Sequence, residues 1–279
     1  MNPTVVKELE ATVLVDNDGC SGLTGEWGLA FHIVYRGHRI LLDAGSSGLF
    51  ASNAALLGID LSAVDCAVLS HAHYDHSLGL ETFFGLNAAA PLYVSRHTAE
   101  DCYHRELFSK RYIGVPVGML DRFSSRIVRT GDAPSELFDG VWVVPHRSPC
   151  CSCTARRSHL YRRIDGHFVP DDFMHEQSLV FETESGPVVF SSCSHSGLKT
   201  VVADVEGLFP GISPAAFAGG LHLFRSGRRA VRETADIIRA NAGMMVYAGH
   251  CTGDTALRVL TVGFPDRVVR LQTGTRILF

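Results

Sequence analysis

The segment His71-Ala72-His73-Tyr74-Asp75-His76 constrains this chain more than any other. It places four potential metal ligands within six residues, directly after the apolar run Ala67-Val68-Leu69-Ser70. An extended chain alternates its side chains with period two, so His71 and His73 leave the strand on one face and can reach one ion. Asp75 and His76 fall where the sequence turns helical over residues 75–81, with Asp75 as the expected N-cap. They approach from a different backbone direction, which suits a second ion. Imidazole and carboxylate fit zinc, iron or manganese, and the absence of thiolate from the run argues against a purely structural zinc knot. The alternative, a histidine-rich surface turn, does not account for the apolar strand in front.

Further histidines share the same address. His195 follows Val188-Val189-Phe190-Ser191-Ser192 and His250 follows Met244-Met245-Val246-Tyr247-Ala248, so each lies just beyond an apolar strand, where loops carry function and strands hold them rigid. The spread of these motifs from residue 71 to residue 250 requires both halves of the chain to meet at one site. With 279 residues, 46% of them hydrophobic, the chain can bury a large core. No linker or block of like charge divides it, and the expectation is a single domain over 1–279. The net charge of −4 and pI near 6.4 offer no general attraction to nucleic acid or to an anionic membrane. The N-terminal segment lacks a basic stretch followed by an apolar one, and no run approaches bilayer-spanning length; a cytoplasmic protein is expected. Oligomeric state is not legible.

Eight cysteines are scattered through the chain, which fits reduced thiols better than a disulfide framework. Cys150-Cys151-Ser152-Cys153 is the densest group. It lacks a fourth ligand at zinc-knuckle spacing, although His146 and His159 flank it, and is read as a loop with ordinary thiols. Cys193 and Cys251 adjoin proposed ligands and are assigned to packing.

Strand-like runs are expected at 11–16, 28–35 and 38–43 as an opening meander, then near 65–70, 91–95, 126–129, 141–144, 178–182, 187–192, 215–219 and 244–248. Helical spacing covers 46–57, 197–208, 229–241 and 253–260. The stretch 97–125 reads as partly helical and as a wall over the site. Such alternation suits two packed sheets flanked by helices, a mixed α/β (α+β) architecture.

The string at 71–76 resembles the hallmark of the metallo-β-lactamase fold. Leu41-Leu42-Asp43-Ala44-Gly45, Ser192-Cys193-Ser194-His195-Ser196-Gly197 and Gly249-His250-Cys251-Thr252-Gly253 resemble that family's other motifs in the same order. Asp16-Asn17, Glu26-Trp27-Gly28-Leu29, Gly58-Ile59-Asp60, Asp171-Asp172, Gln177-Ser178-Leu179 and Gly219-Gly220-Leu221-His222-Leu223 are similar to the 7,8-dihydropterin-6-methyl-4-(β-D-ribofuranosyl)aminobenzene-5′-phosphate synthase-like group within it. The resemblance implies a four-layer αββα sandwich in which His71, His73 and His195 hold one ion and Asp75, His76 and His250 the other. It also exposes a departure. Most members carry a bridging aspartate where this chain has His222, and a neutral imidazole with one free lone pair cannot bridge two ions. His222 is therefore expected to bind one metal or to contact substrate, as the resembling group also carries this histidine.

Asp43 ends a buried strand and is expected to accept hydrogen bonds that orient the metal-binding imidazoles. The Asp16-Asn17 pair is read as a loop support and Tyr74 as packing. Arg225, three residues after His222, is the tentative contact for an anionic group, with the run from Arg156 to Arg163 a weaker one. Asp75 and His222 are the expected catalytic residues. One or two zinc ions, with iron or manganese as alternatives, lower the pKa of bound water to about 7. The expected activity is hydrolysis of a small anionic phosphoester, phosphodiester or related ester by hydroxide so formed. The rival readings are a pterin-phosphate synthase-like enzyme and an iron-dependent oxidoreductase or dioxygenase. No Ser-His-Asp arrangement, Walker loop or dinucleotide-binding glycine pattern is evident.

Overall fold

The computed structural model describes residues 8–147 and 151–279, with side chains of the second stretch from residue 154. In chain order the strands are β1 (Leu9–Val15), β2 (Ala30–Tyr35), β3 (His38–Leu42), β4 (Cys66–Val68), β5 (Leu92–Ser95), β6 (Cys102–Arg105), β7 (Lys110–Tyr112), β8 (Ile127–Thr130) and β9 (Ser135–Phe138). They continue as β10 (Val141–Pro145), β11 (Leu160–Ile164), β12 (His167–Pro170), β13 (Gln177–Phe181), β14 (Val188–Ser191), β15 (Ala216–Gly219), β16 (Met245–Ala248), β17 (Val268–Arg270) and β18 (Arg276–Leu278). The helices are α1 (Leu49–Leu56), α2 (Tyr74–Ser77), α3 (Leu80–Leu86), α4 (Met119–Arg122), α5 (Cys151–Ser158), α6 (Leu198–Leu208), α7 (Arg228–Ala240) and α8 (Asp254–Gly263).

Two seven-stranded sheets, ordered β18-β1-β2-β3-β4-β5-β8 and β17-β16-β15-β14-β13-β10-β9, form the centre. The period-two alternation of side chains divides each into two apolar faces. Phe31, Ile33, Ile40, Leu42 and Val68 of the first sheet meet Val141, Val143, Leu179, Phe181 and Phe190 of the second in a common inner core. Leu41, Ala67 and Val94 point the other way and are covered by Phe50 and Ala54 of α1 and Leu80 and Phe83 of α3. On the opposite outer face Val180, Val189, Phe217 and Val246 pack against Val201 and Val205 of α6, Ile238 of α7 and Leu257 and Leu260 of α8. The result is the four-layer αββα sandwich.

Strand direction places the site. β3, β4, β5 and β8 run parallel, as do β14, β15, β16 and β17. The segments after β3, β4, β14, β15 and β16 therefore emerge at carboxyl ends of parallel strands, where open α/β sheets place their ligands.

The stretch 97–125, read as partly helical, is helical only near its end. Apart from the four-residue α4 and the short turn Ser124–Arg126, this stretch holds β6 and β7, which pair with each other and with β11 and β12 in a third sheet ordered β12-β11-β6-β7. Aromatic contacts explain the preference for strand: the Tyr103 ring stands 5.4 Å from Tyr112 and 5.1 Å from Phe168 across the ladders, and such cross-strand pairs stabilise sheets. Strands β9, β11, β12, β17 and β18 are only three to five residues long, too short for a hydrophobic alternation to disclose them. Among the described residues no helix is long and apolar enough to cross a membrane.

Candidate metal centre

The first three histidines meet. Ring centroids lie 4.7 Å apart for His71 and His73, 5.0 Å for His71 and His195, and 4.9 Å for His73 and His195, and one nitrogen of each lies within 4.8 Å of the others. All three rings are buried. Burial and the neighbouring imidazoles hold the pKa of His71 and His195 well below the ordinary histidine value, and burial lowers that of His73. They are neutral, as metal ligands must be.

Buried carboxylates set their orientation. Asp43, buried and in the left-handed region at φ 60°, accepts hydrogen bonds from the Ser70 amide at 2.7 Å, the Ser70 hydroxyl at 2.7 Å and His76 Nδ1 at 2.8 Å. The Ser70 hydroxyl has its proton committed to Asp43, so it accepts from His71 Nδ1 at 2.8 Å. Both His71 and His76 therefore present a bare Nε2 to the centre. Glu176 accepts from the amides of His195 at 2.6 Å and Ser196 at 2.9 Å, and Phe173 stacks on the His195 ring with centroids 4.4 Å apart.

The second group gathers beside the first. His76 Nε2 stands 3.2 Å from His250 Nε2, and His250 Nε2 lies 3.5 Å from Asp75 Oδ2. Asn17 Oδ1 accepts from His250 Nδ1 at 3.1 Å, and Asp16 Oδ1 accepts from the His250 amide at 2.9 Å. Gly249 is required here, since a Cβ at that position would come within 2.3 Å of Asp16 Oδ2. Burial disfavours charge on both Asp75 and His250, yet their mutual hydrogen bond outweighs it: the Asp75 carboxyl is held well below the usual carboxylate range and His250 is raised to about 9. Asp75 does not cap a helix as expected. His73 occupies the N-cap of α2, Asp75 lies in its first turn, and its Oδ2 accepts from Trp27 Nε1 at 2.8 Å.

His222 lies on the wall of the cavity above these rings, not in the apolar core. Its ring centroid is 4.1 Å from that of His195, its Nε2 is 3.2 Å from Ser158 Oγ, and its Nδ1 is buried without a partner. Arg225 lines the same cavity, exposed and stacked 5.7 Å from the Phe224 ring. Asp43, Ser194, His222, Arg225 and His250 are non-glycine residues with positive φ. That these turns crowd into one site shows where the fold holds strained backbone in place. Arg162 is not a substrate contact: it is buried in ion pairs with Asp101 at 2.8 Å and Asp172 at 3.1 Å. His146 is held by Asp204 at 2.8 Å and Ser178 at 2.6 Å. The thiols of Cys150, Cys151 and Cys153 lie outside the described residues. Cys193 and Cys251, read as packing, line the cavity.

Sequence reasoning gave no role to His175. It is buried 3.2 Å from Asp171 Oδ2, and Asp171 Oδ2 is 3.8 Å from His73 Nε2, a placement that backs His73 against the pair. Burial opposes charge on both, but their attraction prevails, raising His175 and lowering Asp171. The available signal was a run of ionisable residues, Asp171-Asp172 to His175-Glu176, leading into the apolar strand β13.

A divalent cation fits this arrangement. His71 Nε2 and both ring nitrogens of His195 are buried without hydrogen-bond partners, a costly state for polar atoms in an apolar interior unless a cation accepts their lone pairs. The bare His76 Nε2 also faces His250 Nε2 at 3.2 Å, and a cation replacing the proton that His250 Nε2 shares with Asp75 would take the lone pairs of both.

The chain belongs to the metallo-β-lactamase superfamily, whose family model matches residues 28–250. It is 26% identical over 264 residues to 7,8-dihydropterin-6-methyl-4-(β-D-ribofuranosyl)-aminobenzene-5′-phosphate synthase of Methanocaldococcus jannaschii, covering 86% of this chain and 84% of that protein. Among solved structures it is similar to Tm1679, a metal-dependent hydrolase of the β-lactamase superfamily, with TM-score 0.82 and 22% identity over 97% of this chain and 99% of the other. A diphosphatase from the PhnP family aligns with TM-score 0.56 and 15% identity over 97% of each chain.

Proposed function

We propose that the protein is a metal-dependent hydrolase of a small anionic ester, with phosphoesters as the first substrate class to test. The observation that carries this reading is one cavity of about 500 Å³ lined by His73, Asp75 and His195 of the cluster and by His222, with aromatic and cationic side chains beside them. His71, His73 and His195 would hold one divalent ion, and Asp75, His76 and His250 a second. Such ions supply Lewis acidity toward a carbonyl or phosphoryl oxygen and make water nucleophilic near neutral pH.

The chain's own residues supply the rest. Trp27 fixes the Asp75 carboxylate through its indole N–H. Trp27, Tyr74 and Phe224 form apolar walls that exclude water and can stack on a ring. Arg225 and Arg111, the latter 5.7 Å from the Tyr74 ring, place guanidinium groups at the rim, where planar donor forks bind phosphate or carboxylate. His222, with its unpartnered Nδ1, is positioned to hydrogen-bond a substrate oxygen beside His195. Zinc is the metal proposed, with iron or manganese compatible with the same donors.

The identity to the archaeal synthase supports a second reading, synthase activity on a phosphorylated pterin compound, for which the aromatic walls would receive the ring. The deciding experiment is metal analysis of protein purified without added ions, joined to a panel of phosphodiesters, phosphomonoesters and lactones. Hydrolysis that disappears on chelation and in His73→Ala is expected. Protein that retains no metal after gentle purification, or hydrolysis unaffected by either change, would overturn the proposal. Formation of a joined product from a pterin substrate would favour the synthase, and bound iron with oxygen consumption would favour an oxidoreductase.

A further inference from the structure

A sulfur atom stands between the two imidazole groups. Cys193 Sγ lies 3.3 Å from His76 Nε2. It falls within 4.8 Å of ligand atoms in three separate sets: His71 with His76, His195 with His222, and His250 with Cys251. One atom thus faces imidazoles assigned to both ions. Ligand atoms about 2.0–2.3 Å from a zinc ion stand roughly 3.3–3.8 Å apart in a tetrahedron, so the spacing is close to that of a ligand set. In those sets, His71 Nε2 and both nitrogens of His195 are buried and without hydrogen-bond partners.

The backbone holds the thiol there. Cys193 follows β14 and precedes Ser194 in a left-handed turn at φ 50°, and the Gly220 amide donates to Ser192 O at 2.9 Å. A Cβ at Gly220 would lie 2.4 Å from Cys251 Sγ, so glycine allows the two loops to close. Cys251 is placed differently: its Sγ donates to the Cys193 carbonyl at 3.6 Å.

Charge gives the position its meaning. With His222 in place of a carboxylate, the six proposed ligands would bring one negative charge, from Asp75, to two dications. A further anionic donor among them would offset part of that excess positive charge. A thiolate has lone pairs enough to face both ions and is a strong ligand for zinc or iron.

We propose that Cys193 is a thiolate ligand of this metal centre, supplying negative charge that the neutral His222 cannot. On binding, the Cys193 S–H bond breaks, its proton passes to solvent, and the sulfur electron pair forms the S–metal bond without change of oxidation state. The inference rests on the metal-enzyme reading, and cobalt(II) separates the two. Reduced protein stripped by chelation and reloaded with cobalt(II) should show visible ligand-field bands together with near-ultraviolet thiolate-to-cobalt charge transfer. Cys193→Ser should lose the charge-transfer band and keep the visible bands, while Cys251→Ser keeps both. Ligand-field bands without charge transfer in the wild type, or charge transfer that survives Cys193→Ser, would overturn the proposal and leave the metal centre standing. Failure of the wild type to take up cobalt at all would remove both. If Cys193→Ser does not fold, alkylation of the wild type mapped by peptide mass decides the question: cobalt should abolish labelling of Cys193, and unchanged labelling would overturn ligation.

Discussion

Replacing Asp43 by Asn tests how the fold prepares a metal ligand without touching the metal itself. The carboxylate is buried and accepts three bonds, from the Ser70 amide and hydroxyl and from His76 Nδ1, all at 2.7–2.8 Å. In Asp43→Asn one oxygen can still accept from the Ser70 amide, but an NH2 group now faces the hydroxyl and His76. A donor there forces His76 Nδ1 to accept, which moves the ring proton to Nε2 and removes the lone pair intended for the ion. Losing such an outer partner costs about 10–100-fold in metal affinity, or about 1.4–2.7 kcal/mol. The ion held through His76 should suffer first. Competition titration with a chromophoric chelator measures both sites, and zinc-free urea unfolding supplies a control, where loss of charge-assisted bonds should cost about 1.5–3 kcal/mol. If Asp43→Asn binds two ions as tightly as the wild type, Asp43 does not set the His76 tautomer and the reasoning fails.

Three further outcomes are expected. Phe173→Ala should lose about 3–5 kcal/mol of stability, because the ring is fully buried and stacked on His195; a loss below about 1 kcal/mol in urea unfolding would contradict tight packing there. Arg225→Ala should raise KM for a phosphorylated substrate by about tenfold with kcat little changed, since a rim cation contributes uniform binding; a fall in kcat alone would place Arg225 at the reacting atoms instead. His32, buried with an unpartnered Nε2, is held by burial at a pKa of about 4 against 6.5 when free. The unfolded chain takes up this proton first, so its contribution is intact above pH 6.5 and is lost as pH falls toward 4, by about 3 kcal/mol in all. His32→Leu should flatten that acid limb, and an unchanged slope in stability against pH would refute the assignment.

The site was more legible than the walls around it. Candidate ligands that follow apolar strands announce themselves twice, by residue type and by address, and His71, His73, Asp75, His76, His195 and His250, which the structure brings together, all did so. Asp43 was legible because a carboxylate at the end of a buried strand demands hydrogen bonds. The third sheet was not, because Lys110–Tyr112 and His167–Pro170 are only three and four residues long and owe much of their pairing to contacts distant in sequence. The same applies to His175 and Glu176, whose importance lies in what they touch across the fold. Cys193, read as packing, turns out to line the cavity, which the sequence did not disclose because a small thiol has the same signature whether it faces the core or the cavity.

These outer groups form a pattern that explains the tolerance of His222. Each ligand segment is backed by its own buried carboxylate: Asp43 behind His76 and, through Ser70, His71; Asp171 beside His73; Glu176 beneath the His195 amide; and Asp16 beneath that of His250. Neutral imidazoles bring no charge to a cation, so in this centre much of the compensating negative charge stands one layer out, held by backbone amides and hydroxyls and screened little by solvent. A bridging carboxylate is then one source of negative charge among several, and its replacement need not abolish binding. The same arrangement makes the stripped protein a cluster of buried anions facing unpartnered nitrogens, so metal binding should stabilise the fold by an amount that rises with the logarithm of free metal concentration above Kd.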